Sequence, residues 1–312
     1  MAVIDRQQLL DKLANGYSLK AVKIGDVDFT GHVFETRVDF SGAIFTGKTV
    51  FKNAKFLDGV NFRKVEFSGP DGVDFGEATF SGEGWANFGG AGFLEGRADF
   101  RSAIFSGRGG ANFRWARFSG KGGADFFKAR FSGAGGADFG EAVFSGGGGA
   151  VFNQVECSGP GEIIFVATRF DKNCLISFRS IKVENPRNVR FENVYLGRTS
   201  FYKTNVEEFT FRNVRFHEGE PGLLKREQLV DEIWNDLAPE KKQRTYDKNY
   251  YRHLEILYRQ LKRNFEGRHD SARAEDFHYG ELEMRRRQKS PLRQCVSLAG
   301  LTISALWRRW WR

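Results

Sequence analysis

Between residues 27 and 216 the large apolar positions fall in pairs five residues apart, and each is usually preceded by a small residue two positions earlier. Phe113 and Phe118 form one such pair, with Ala111 and Ala116 before them. The pairs run from Phe29/Phe34 to Phe211/Phe216. By count there are sixteen, and twenty-eight of the thirty-two positions are Phe, the exceptions being Cys157, Val183, Leu196 and Val206. Only Phe127, Phe209, Phe265 and Phe277 lie outside this register. Five residues turn an α-helix by about 500°, so the Phe would wander around a helix axis, and five does not fit strand alternation either. A chain that turns a corner every five residues does fit. Four such sides close a square coil, with the Phe and the small residue inside. The Asp or Asn between them and the two residues that follow are then expected to face solvent. Stacking at roughly 4.8 Å would let backbone amides pair from coil to coil while Phe stacks on Phe. Phe100, Phe105, Phe113, Phe118, Phe126, Phe131, Phe139 and Phe144 are the predicted centre of this core, and Arg114 is expected on its surface.

The runs Ala98-Asp99-Phe100, Ala111-Asn112-Phe113 and Ala124-Asp125-Phe126 resemble the pentapeptide-repeat family, whose repeat is Ala-(Asp/Asn)-(Leu/Phe)-x-x. That resemblance implies an all-β solenoid, a right-handed quadrilateral β-helix, here of about eight coils. The spacing departs from ten residues per pair in a regular way. It is eleven up to Phe62, twelve or thirteen up to Phe191, and ten beyond. The extra residues follow the second Phe, as in Ser106-Gly107-Arg108-Gly109-Gly110. They should bulge at corners, where Gly takes positive φ and lets neighbouring coils approach. No helix N-terminus is expected to follow these loops, so a phosphate cradle is not indicated.

Both ends change language. Residues 5–14 place Leu9, Leu10 and Leu13 on one helical face behind Asp5 as N-cap, with Asn15-Gly16 as the stop, which predicts a capping helix. After the breaker at 218–222, Leu229, Val230, Ile233, Trp234 and Leu237 suit a helix over 223–237 that caps the other end. Helices over about 240–265 and from Asp270 or Ser271 onward then predict an αα-hairpin. The organisation expected is residues 1–20 as N-terminal cap, 21–218 as β-helix, 219–289 as α-helical capping and hairpin region, and 290–312 as a basic, Trp-rich tail. Residues 257–266 and 274–286 resemble a hairpin of bacterial pentapeptide-repeat proteins that are often membrane-associated. In those relatives channel-like transmembrane helices often follow. No such segments follow here, so ion conduction is not carried over, and a truncated relative of those proteins stands as an alternative reading.

Charge sharpens the picture at one end only. Of the net +9, the first 218 residues hold 28 basic against 25 acidic residues, while 284–312 hold eight basic residues and no acid. A nucleic-acid partner is therefore not expected, and an inhibitor of DNA topoisomerases that mimics duplex DNA, the contrasting reading, would need an acidic rod. The tail joins Arg285, Arg286, Arg287, Lys289 and Arg293 to a short apolar run that ends in Trp307, Arg308, Arg309, Trp310, Trp311 and Arg312. About twelve apolar residues fall short of the roughly twenty that span a bilayer. Basic and Trp flanks suit an interfacial anchor on anionic lipid; a helix docked on protein and a disordered basic end are the alternatives. Three cysteines without CxxC spacing suggest no disulfide framework or metal site, and fit a reducing compartment. His269, Asp270, Asp276, His278 and Glu281 cluster in the hairpin without a catalytic motif, and read as a solvated, salt-bridging face. The expected function is a non-enzymatic, cofactor-free scaffold that binds a protein partner. It is expected in the cytoplasm, held at the inner membrane face by its tail.

Overall fold

The computed structural model describes residues 3–172, 174–219, 226–237 and 248–289. Four parallel sheets form the walls of a solenoid of about seven turns, with eight, eight, seven and eight strands. The first face starts at Lys23–Ile24, the second at Val27–Asp28, the third at Val33–Phe34 and the fourth at Val38–Asp39. Most strands are two residues long, because each side of the square ends in a corner. Register is residue on residue: Ala86 pairs with Ala111 and Ala111 with Ala137 on the fourth face, and Ala98 with Ala124 on the second.

The interior explains the repeat. Phe113 stacks on Phe139 at 4.9 Å with rings 2° from parallel, and meets Phe126 of the next side edge-on at 5.5 Å and 89°. Ring stacking and strand pairing thus share one period, and the edge-on contacts tie the ladders together. Ala111 and Ala124 are buried beside the rings, where a longer side chain would overpack.

Two turn devices set the corners. Within each pair the second residue after the first Phe has positive φ, as at Trp115, Lys128 and Glu141. In the longer loops a Gly precedes the Ala. Gly123 has φ +68°, and a Cβ on it would lie 2.2 Å from the carbonyl oxygen of Gly149 in the next turn. Conformation and close approach both require glycine there.

Three expectations need correction. The Asp between Ala and Phe does not face solvent in the middle turns: Asp99 and Asp125 are buried. Each carboxylate accepts the backbone N–H two residues on, from Arg101 and Phe127, which draws it against the turn. The count of eight coils also falls short. The third sheet ends at Lys182–Val183, and on the first face only a single bridge, Tyr195 to Arg215, follows Arg169–Phe170. The final ten-residue spacings leave the last turn without complete walls. The helix placed over 223–237 starts late: Glu227–Gln228 first pairs antiparallel with His217–Glu218, and α2 spans Val230–Leu237.

Helices close both ends. α1 (Arg6–Ala14) carries a capping box between Asp5 and Gln8 and buries Leu9 on the first turn. Val3–Ile4 just before it extends the first sheet by pairing with Lys23–Ile24. At the other end α3 (Lys248–Glu266) and α4 (Ser271–Arg287) form the hairpin. Asn264 Nδ2 donates to the carbonyls of Val206, Glu207 and Phe209 at 3.1, 2.8 and 2.8 Å. Arg268 donates to Phe209 and Phe211, and Arg273 to Val214. The hairpin is therefore itself the lid: its side chains satisfy carbonyls that have no further turn to pair with.

Candidate functional site

The residues proposed from sequence lie in very different surroundings. Phe100, Phe105, Phe113, Phe118, Phe126, Phe131, Phe139 and Phe144 are all buried in the ladders. Arg285 pairs with Glu255 and Glu281, Arg286 with Glu283, and Arg287 with Glu283 and Glu232. Burial pushes the Glu283 carboxyl up, but hydrogen bonds from Arg286 and Arg287 outweigh it and hold the group below its usual range. These three arginines therefore spend their charge inside the hairpin. Lys289 lies just past the end of α4. Arg293, Trp307, Arg308, Arg309, Trp310, Trp311 and Arg312 lie outside the described residues.

The polar cluster of the hairpin is engaged in the same way. Asp270 caps α4 by accepting the Arg273 N–H, and Asp276 accepts the Glu227 N–H. Glu281 receives Arg259 at 3.0 Å, with His278 Nδ1 at 3.7 Å. Among the described residues no group of three His, Cys, Asp or Glu could hold a metal ion.

The feature that sequence reasoning missed is on the fourth face. The residues just before its strands form a column, Arg37, Gly59, Trp85, Gly110 and Gly136, fixed by the pairing of Val38, Val60, Ala86, Ala111 and Ala137. At the opposite edge the positive-φ turn residues form a second column, Gly42, Lys64, Gly90, Trp115 and Glu141. Trp85 is thus flanked by glycines, and Trp115 has Gly90 on one side. Trp85 is 50% and Trp115 53% exposed. The signal was available: both occupy repeat positions that the square coil assigns to solvent, where an aromatic has no packing reason to be.

Between the columns runs a ladder of amides. Asn112 Nδ2 donates to Asn87 Oδ1 at 3.0 Å, and Asn87 Nδ2 to Asn61 Oδ1 at 3.3 Å. Each Oδ1 also accepts the backbone N–H two residues on, from Arg63, Gly89 and Arg114. Asp138 continues the row and accepts Arg114 Nη1 at 3.4 Å, while Arg114 Nη2 reaches Glu141 at 3.1 Å. Arg114 is accordingly half-exposed and fixed rather than free, with its guanidinium over the Trp115 ring at 4.7 Å. Arg37, Trp85, Asn87, Asn112, Arg114 and Asp138 line a shallow depression of about 340 Å³.

A repeat of this period, folded into four parallel walls, can be compared with known proteins. Residues 29–71 match the family model for pentapeptide repeats (9 copies). That stretch carries the pentapeptide repeat. Among solved structures, that of full-length QnrB1, a plasmid-mediated fluoroquinolone resistance protein, is similar at 17% identity over 62% of this chain and 82% of that chain, with a TM-score of 0.20. A comparison with curated proteins gives no match. What the solenoid presents on its fourth face is a shallow depression with a polar floor and a tryptophan at each edge. Its chemistry is that of non-covalent binding: stacking, hydrogen bonding and one fixed guanidinium.

Proposed function

We propose that this protein is a non-catalytic scaffold that docks a protein partner on its fourth face. The observation that carries this reading is the pair of half-exposed tryptophans, one at each edge of that face in adjacent turns. Trp and Arg are enriched among the residues that dominate the energetics of protein interfaces. Here the repeat supplies the rigidity, so little ordering entropy is lost on binding. The test compares proteins retained by the immobilised wild type with those retained by a Trp85→Gly/Trp115→Asn variant. Gly and Asn occur at equivalent positions of other turns, so the variant should fold. A protein retained by the wild type and lost by the variant supports the reading; identical profiles reject it.

For the basic, Trp-rich stretch beyond Lys289 we retain the proposal of peripheral attachment to an anionic membrane from the cytoplasmic side. No helix among the described residues is long and apolar enough to cross a membrane. With Arg285, Arg286 and Arg287 paired inside the hairpin, lipid contact would fall to Arg293, Arg308, Arg309, Arg312 and the three tryptophans.

A further inference from the structure

The hydrogen-bonding balance of the fourth face is lopsided. Asn61 Oδ1 and Asn87 Oδ1 each accept two hydrogen bonds, and Asn112 Oδ1 accepts one. Asp138 uses one oxygen on the Gly140 N–H and the other on Arg114. The donors are less used. An amide nitrogen carries two N–H groups, so Asn87 and Asn112 each keep one beyond the ladder. Neither indole N–H has a partner among the described residues, and Arg37 makes no ion pair there. The floor therefore asks for a ligand rich in acceptors and poor in donors, with compact apolar surface to lay on two indoles.

An ordinary extended peptide carries as many N–H as C=O groups and would strand its donors against this floor. Sugar hydroxyls, which are donors as well as acceptors, meet the same difficulty. A proline-rich segment does not. Proline has no N–H, and the polyproline II helix makes no internal hydrogen bonds, so its carbonyls point outward as acceptors. Its rings are the surfaces that aromatic-lined grooves take up.

We propose that the fourth face binds a proline-rich segment in the polyproline II conformation, laid from Trp85 to Trp115, with a carboxylate at its Trp85 end reaching Arg37. Arg37 stands in the same column as Trp85, two turns away, a step of about 10 Å. This rests on the docking reading above and names the occupant.

The probe is a synthetic proline-rich peptide ending in glutamates, fluorescently labelled and titrated into the full-length chain. Saturable binding is expected, weakened at least tenfold by Trp85→Gly or Trp115→Asn and severalfold by Arg37→Gln. The Trp115→Asn variant should melt no lower than the wild type. A peptide of equal length and charge with alanine in place of proline should bind at least tenfold more weakly. Equal binding of the two peptides, unchanged binding by both tryptophan variants, or stronger binding of an oligosaccharide or a single-stranded oligonucleotide at this face overturns the proposal. If the peptide does not bind while retention of a cellular protein still requires Trp85 and Trp115, the proline-rich occupant falls and the docking face stands.

Discussion

Phe113 touches its counterparts in the turns on either side, stacking on Phe88 and Phe139 at 4.9 Å each, and meets Phe100 and Phe126 edge-on at 5.5 Å. Removing it should leave a hole that rigid neighbours cannot fill, so Phe113→Ala is expected to cost about 3–5 kcal/mol in thermal or denaturant unfolding. Arg114→Ala, next in the chain, should cost less than about 1 kcal/mol because its ion pairs are half-exposed. Equal costs would contradict the inward register. Cys157 tests the same ladder from the other side. It pairs with Phe131 where the repeat calls for Phe, and the two sit on the wall of a small internal void with Phe139, Phe152 and Phe165. Cys157→Phe should therefore raise stability by about 1 kcal/mol, and a lower melting temperature would show that the gap is too narrow. Burial pushes the Cys157 thiol up to about 12, so it should resist alkylation at neutral pH in the folded protein. The ladders were legible because one residue type repeats at one spacing. The burial of Asp99 was not: it depends on residues about twenty-five positions away, and nothing near Asp99 in the chain announces them.

At the scale of elements, local signals were read well and long-range ones were not. The helix at residues 6–14 followed from its cap and its Leu spacing. That the hairpin is the lid could not be read, because Asn264, Arg268 and Arg273 look like ordinary polar positions until the last turn lies beneath them. The same holds for the link between α2 and the solenoid. Asp231 is buried there and accepts hydrogen bonds from the Ser200 hydroxyl and the Phe201 N–H. Burial raises its carboxyl from 3.8 to about 6, against the pull of those hydrogen bonds. Below about pH 4 the folded and unfolded states both hold the proton. Between there and pH 6 the folded state holds it more firmly, and this stabilisation is lost as pH rises through the folded value. About two pKa units correspond to roughly 3 kcal/mol. Stability of the wild type relative to Asp231→Asn should therefore fall between pH 4 and pH 6 and level off above. A difference independent of pH in paired melts would show that Asp231 is not held as a buried acid.

The whole molecule is a rod with one segment of different character. If residues beyond Lys289 bind anionic membranes, the full-length protein should pellet with anionic liposomes, less so at high salt, and a chain ending at Lys289 should not. Replacing Arg285, Arg286 and Arg287 should leave pelleting unchanged, because their charges are already paired in the hairpin. Equal pelleting of full-length and shortened chains would remove the membrane from the account. Every turn offers the next the same row of amides and carbonyls, so nothing in the geometry of a turn tells the stack where to stop. Stripping the hairpin of Asn264, Arg268 and Arg273 would uncover one end only. Two such molecules could meet by their matching open ends and go no further, a closed twofold pair. Uncovering the α1 end as well would remove the limit: each rod would seed the next, and length would be set by concentration rather than by the gene.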